Sequence, residues 1–302
     1  MKVIRIGTRD SELALWQART VERKLNDLGY KTEITAVKSA GDIILDKPLY
    51  EFGITGIFTK TLDVAMISGQ IDIAVHSMKD VPTALPKGIV QAAVLERETP
   101  NDLLVTKYEI DFVDALTIAS GSLRRQAQWL HRYPHHSVVD LRGNVNTRLK
   151  KLEDNDWDGA IFAEAGLKRI NLMPEKTQHL DWMIPAPAQG AMVIAAMAHD
   201  DFTLEATGKL NHRDSEICTF IERQFLKTLE GGCTAPIGAL ATISDNQIRF
   251  EGALFSPDGT EKIHVEKTAS LTHYKELGRE CAEQILADGG DILMEKIRNG
   301  QK

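Results

Sequence analysis

The stretch IDIAVHSMKDVP, residues 71–82, decides how the chain is read. Ile71 to Val75 is a short apolar run of the buried-strand type. It passes directly into His76, Ser77, Lys79 and Asp80 and stops at Pro82. A buried strand whose C-terminal end carries hydroxyl, ammonium and carboxylate groups fits an α/β fold, which places ligands at that end of its strands.

The segments around it repeat the alternation. On the N-terminal side, Lys2 to Ile6 reads as a strand. Ser11 can cap a helix with the apolar stripe Leu13, Trp16, Val21, Leu25 and Leu28, ending at Gly29. Thr32 to Val37 is the next strand, 58–67 is helical, and Val90 to Leu95 is a further strand. The prediction is a mostly parallel sheet with helices on both faces. Arg97 to Asn101, with a proline inside, reads as a linker. The pattern then restarts, with strands at 103–105, 117–119, 137–141 and 160–163 and helices from Ser122 and Asn144, and it ends near Pro185-Ala-Pro187.

After the prolines, Met192 to Ala198 finds no partner of its own, so the chain is expected to cross back to the first unit. Asp214 to Leu229 is a helix with Ile217, Ile221, Phe225 and Leu229 at helical spacing. Three antiparallel strands, at 239–243, 248–254 and 262–266, and a helix over 274–287 follow. The predicted architecture is two α/β lobes, 1–97 with 190–211 and 101–187, and a small α+β domain over 213–302.

A chain of 302 residues fits two or three domains. Its net charge of −7 argues against general nucleic-acid binding. The charge is uneven: residues 120–170 hold nine Lys/Arg and six Asp/Glu, a net +3 against −10 elsewhere. A basic island in an acidic protein suggests a local anionic ligand, although a solvated basic face is the plain alternative. The three cysteines, Cys218, Cys233 and Cys281, have neither a disulfide framework nor zinc-ligand spacing, and no metal site is expected. The N-terminus lacks signal-peptide features and no run of about 18 apolar residues occurs, so the expected location is the cytoplasm, off the membrane. No apolar surface stripe is left over, which favours a monomer.

Four segments carry the chemistry. Gly7-Thr-Arg-Asp-Ser11 lies between a strand and a helix, where free N–H groups and a guanidinium bind anions; a capped loop is the plain alternative. In residues 74–82, Asp80 beside Lys79 can give a proton and stabilise a cation, whereas His76 reads as a core histidine. Arg124 and Arg125 occupy the first turn of a helix, an unfavourable place for cations that points to an offsetting anion. Arg142, Arg148 and the Lys168-Arg169 pair repeat the theme on the next elements. Finally, Cys233 follows Gly231-Gly232, an exposed-loop setting for a nucleophilic thiol, whereas Cys218 and Cys281 lie within helices and read as inert. No ATP or dinucleotide motif is present.

In order along the chain, IGTRDSELALWQA, DIAVHSMKDVP, SGSLRRQAQ, LRGNVNTRL, AGLKRI, PAPAQGA and LEGGCTAPIG resemble the porphobilinogen deaminase family, over nearly the whole length. The resemblance implies two lobes like type II periplasmic binding proteins with a cleft between them, and a third domain. It implies a dipyrromethane cofactor joined by a thioether to Cys233. It further implies head-to-tail addition of four porphobilinogens with loss of ammonia, then release of the linear tetrapyrrole by water. Asp80 is implied as the catalytic acid. Ser77, Lys79, Arg124 and Arg125 would bind the cofactor, and Arg9, Ser11, Arg142, Arg148 and Arg169 the substrate side. The sequence departs from the family at Thr55, where a loop lysine is usual, and at Ala188, where glycine is usual. The rivals are a non-catalytic two-lobed anion binder and a cysteine hydrolase using His76.

Overall fold

The computed structural model describes residues 2–37, 59–229 and 235–300. Thr55 and Cys233 lie outside the described residues.

The first sheet is built from β1 (Val3–Arg9), β2 (Lys31–Val37), β3 (Ile73–Ser77), β4 (Ile89–Val94) and, from far along the chain, β10 (Met192–Met197). Its order is β2-β1-β3-β10-β4. The second has the order β7-β6-β8-β5-β9, with β5 (Asp102–Thr106), β6 (Thr117–Ala119), β7 (Ser137–Val139), β8 (Gly159–Ala163) and β9 (Thr177–His179). The two sheets share one plan. In each, the fourth strand runs against the other four: β10 is antiparallel to β3 and β4, and β5 is antiparallel to β8 and β9. Each of these odd strands is the one that follows a crossover from the other lobe. This is the expected pair of α/β lobes, and the unpartnered strand 192–198 finds its slot between β3 and β4.

The helices form where capping and apolar spacing agree. Helix α1 (Glu12–Asp27) starts at Ser11, whose hydroxyl accepts from the Ala14 amide at 3.4 Å. It buries Ala18, Val21 and Leu25 against Ile4, Ile6, Ile73 and Val75 of the sheet. Helix α2 (Lys60–Ile67) packs Leu62, Ala65 and Met66 on the same lobe. In the second lobe α3 (Leu123–Arg132) buries Trp129, and α4 (Val145–Asp154) is capped by Asn144, whose side-chain Oδ1 accepts from the Thr147 amide at 2.9 Å. A short helix α5 (Glu164–Arg169) follows β8, and α6 (Asp201–Gly208) follows β10.

Helix α7 (Arg213–Thr228) then leads to the antiparallel sheet β11 (Ile237–Ser244), β12 (Gln247–Phe255) and β13 (Lys262–Ser270). Ile217, Ile221 and Phe225 of α7 share one core with this sheet and with α8 (Tyr274–Ile285). A last helix, α9 (Asp291–Gly300), adds Leu293, Met294 and Ile297 to that core. Cys218 and Cys281 are buried in it, as expected of packing residues, and burial pushes their thiols up to about 12 and about 11.

The crossovers pass very close to each other. A Cβ on Gly190, which has φ +85°, would lie 2.6 Å from the carbonyl oxygens of both Glu98 and Thr99. Only glycine fits there.

Candidate functional site

Strand β3, the central strand of its sheet, carries the reactive segment at its C-terminal end. Ile73 to His76 are buried, and a single 3₁₀ turn, Met78–Asp80, follows. His76 faces the interior as a core histidine; burial, and secondarily Arg9, push it down to about 4, so it is neutral near pH 7. The Ser77 hydroxyl accepts from the Gln17 amide at 2.8 Å.

The Lys79 ammonium donates to Gln189 Oε1 at 3.1 Å. Gln189 in turn donates to Asp102 Oδ1 at 2.8 Å and to the Pro100 carbonyl at 2.7 Å. Asp102 is fully buried and holds the arginine pair: Arg125 Nη2 at 2.7 Å on Oδ1, and Arg124 Nη1 at 2.8 Å from Oδ2. Burial alone would raise this carboxyl, but the two guanidiniums hold it well below the usual carboxylate range. The anion that offsets two cations at the start of α3 is therefore, in part, the protein's own. Asp102 faces two guanidiniums, and it and Asp80 act on the Lys79 ammonium; two carboxylates against three cations leave a net positive charge. Burial pushes Lys79 down to about 8, with Arg125 next in effect and Asp80 opposing.

Arg142 and Arg148 complete the basic cluster. Arg142 Nη1 and Arg148 Nε are buried with no hydrogen-bond partner among the described residues. Such donors are costly to leave unmade, by about 1–3 kcal/mol each, which marks a place where a ligand's acceptors belong. Burial pushes Arg148 down to about 10; Arg125, Arg142 and Arg9 act in the same direction and Asp80 opposes. These mutual influences put Arg9 and Asp80 of the first lobe in the same neighbourhood as Arg125, Arg142 and Arg148 of the second.

Two residues expected on the substrate side are also engaged within the protein. The Ser11 hydroxyl caps α1. Arg169 is buried at the crossover, with Nε on Glu98 Oε1 at 3.0 Å, Nη2 on the Gly190 carbonyl at 2.7 Å, and its guanidinium 5.6 Å over the Trp16 ring. The structure ties it to the crossover rather than to the Arg142–Arg148 group.

Four residues escaped the sequence reading: Gln17, Asp102, Gln189 and Glu222. The side chain of Glu222 is fully buried. It receives Arg97 at 2.6 Å, the Ala188 amide at 2.6 Å and the Ala241 amide at 2.8 Å, joining both crossovers to the third domain. Ala188 itself sits at φ +63°, so the departure from glycine falls at a backbone conformation that favours glycine. No cluster of three or more His, Cys, Asp or Glu that could hold a metal occurs among the described residues.

Residues 4–205 match the family described as "Porphobilinogen deaminase, dipyromethane cofactor binding domain", and residues 216–287 match its C-terminal domain. The chain belongs to the porphobilinogen deaminase family. A porphobilinogen deaminase from Pelotomaculum thermopropionicum is 40% identical over 99% of this chain and 98% of its own. One from Syntrophomonas wolfei is 41% identical over 99% and 100%, and a chloroplastic one from Oryza sativa 41% over 99% and 87%. Likeness to solved structures is looser: the periplasmic VFT2 domain of Bordetella pertussis BvgS has a TM-score of 0.40 at 14% identity, over 69% of this chain and 86% of its own. Every arginine of the cluster falls inside the cofactor-binding match, and Cys233 falls inside the C-terminal one.

Proposed function

We propose that the chain is a hydroxymethylbilane synthase, condensing four porphobilinogens head to tail on a dipyrromethane primer, with loss of one ammonia per addition, and releasing the linear tetrapyrrole to water. The observation that carries this reading is the pair of buried, unpartnered guanidinium nitrogens on Arg142 and Arg148, the second within the electrostatic reach of Asp80. Each pyrrole brings an acetate and a propionate, and arginine forks are suited to such carboxylates.

The cofactor fits the cluster, because the unmet donors and the residual positive charge call for carboxylate oxygens. It would be rooted by a thioether on Cys233 and held by Ser77, Lys79, Arg124 and Arg125. When bound, it supplies the nucleophilic pyrrole carbon to which the incoming monomer is joined. Arg9, Ser11, Arg142, Arg148 and Arg169 would bind the acidic side chains of the substrate side. For Arg169 that role requires it to leave or share its contacts with Glu98 and Gly190. Asp80 gives its proton to the departing amine and then faces, as a carboxylate, the electron-poor methylene cation left on the substrate.

Residues 1–97 with 190–211 form one lobe in this reading, 101–187 the other, and 213–302 the domain that carries the cysteine. The enzyme works as a cytoplasmic monomer without nucleic acid. No helix among the described residues is long and apolar enough to cross a membrane.

The reading is tested at Asp80. Asp80→Asn removes both the proton and the charge and should lower turnover at least about a thousandfold, roughly 4 kcal/mol of barrier. Asp80→Glu should keep a small residual rate. An Asn variant as fast as the Glu variant would place the acid elsewhere.

A further inference from the structure

The turn that carries Asp80 is held from the third domain. Arg223 of α7 donates from Nη1 to the Val81 carbonyl at 2.9 Å and the Met78 carbonyl at 3.3 Å, and from Nη2 to the Pro82 carbonyl at 2.6 Å. A one-turn 3₁₀ segment has little to fix it: Val81 N–H to Met78 C=O, at 3.2 Å, closes it. Its C-terminal carbonyls are the groups such a segment leaves unmet, and a guanidinium fork satisfies several at once. The Met78 amide is tied on the other side to the Ala191 carbonyl at 3.0 Å.

Arg223 projects from a fixed point. The preceding residue, Glu222, binds Arg97, Ala188 and Ala241 together, so α7 cannot slide against either crossover at this turn. Burial lowers the Arg223 guanidinium, so this contact is partly withdrawn from water.

We propose that Arg223 is a positioning residue for the reaction: from α7 it holds the Met78–Pro82 backbone and so sets the acid Asp80. Arg223 touches neither substrate nor cofactor in this role. It acts through the Met78–Pro82 backbone, where a misplacement on the order of 1 Å costs about a hundredfold in rate. The inference rests on the reading of Asp80 as the acid.

The test is a double-mutant cycle on the cofactor-loaded enzyme, with intact mass confirming that the cofactor is attached. Arg223→Met should lower kcat about 10- to 100-fold with KM changed less than about threefold. Arg223→Lys, which can reach some of the three carbonyls, should recover part of that loss. In an Asp80→Asn background, where no acid remains to be placed, Arg223→Met should change the residual single-turnover rate by less than about threefold. Should the Met variant fail to fold, the Lys variant runs through the same cycle with a smaller loss and the same non-additivity. Equal fold-losses in both backgrounds, or an unchanged kcat, would overturn the inference while leaving the acid in place. Wild-type turnover by Asp80→Asn alone would overturn the acid, and this inference with it.

Discussion

Asp102→Asn should destabilise the protein strongly, and the structure sets the size of the effect. The Asp102 side chain is fully buried, accepts from Arg125 Nε at 3.1 Å, Arg125 Nη2 at 2.7 Å and Gln189 Nε2 at 2.8 Å, and faces Arg124 Nη1 at 2.8 Å. Asparagine keeps the shape and one acceptor oxygen but leaves two buried guanidiniums with no counter-charge. Breaking a buried pair from one side costs about 3–5 kcal/mol. At about 2–4 °C per kcal/mol, the unfolding midpoint should fall by roughly 6–20 °C. The pH dependence follows from the depressed carboxyl. A group held below its unfolded value of about 3.9 contributes fully above that value, and loses its contribution as pH falls through the folded one. Thermal and urea unfolding should therefore show a constant gap between wild type and variant from pH 5 to 6, narrowing only in stronger acid. A gap below about 1 kcal/mol, or one that changes between pH 5 and 6, would refute the claim that Asp102 is the anion that holds the arginine pair.

Arg142→Leu should keep the unfolding midpoint within about 3 °C, because its Nη1 has no partner to lose among the described residues, yet stall elongation, seen by mass as accumulated enzyme-bound chains. Simple unfolding would show a structural arginine. Ala188→Gly should be nearly neutral: relief of a left-handed alanine, about 1–2 kcal/mol, is offset by the lost methyl at about 0.8 and glycine's extra chain entropy at about 0.5–1. A loss above about 2 kcal/mol in urea unfolding would show that the methyl's packing against Met78 and Val193 outweighs the backbone term.

The elements that could be read directly are those whose signal is local. Ile217, Ile221, Phe225 and Leu229 announce α7 by spacing alone, and the apolar run before His76 announces β3. The arginines at helix starts also stood out, because cations are unfavourable there. What stayed hidden depends on distant partners. Asp102, just after Pro100, sits at the end of a polar stretch that reads as a linker; its partners lie 22 and 23 residues later and, through Gln189, 87 residues later. Nothing local marks Glu222 for burial on α7; its partners Arg97, 125 residues earlier, and the Ala188 and Ala241 amides are all distant in sequence. The three-residue strand β9 is too short for a periodic signal. Helix α9 lies beyond the helix expected over 274–287: Gly289, with φ +102°, breaks the helix, which then resumes at Asp291.

The central claim is that Cys233 carries the primer on which the chain is built, and the intact mass of the purified protein tests it most directly. The chain should be heavier than its sequence by two pyrrole units. Cys233→Ser should lose that mass and the activity together, while Cys218→Ala, at a buried site, keeps both. A wild-type chain at its bare sequence mass that is nonetheless fully active would contradict the account.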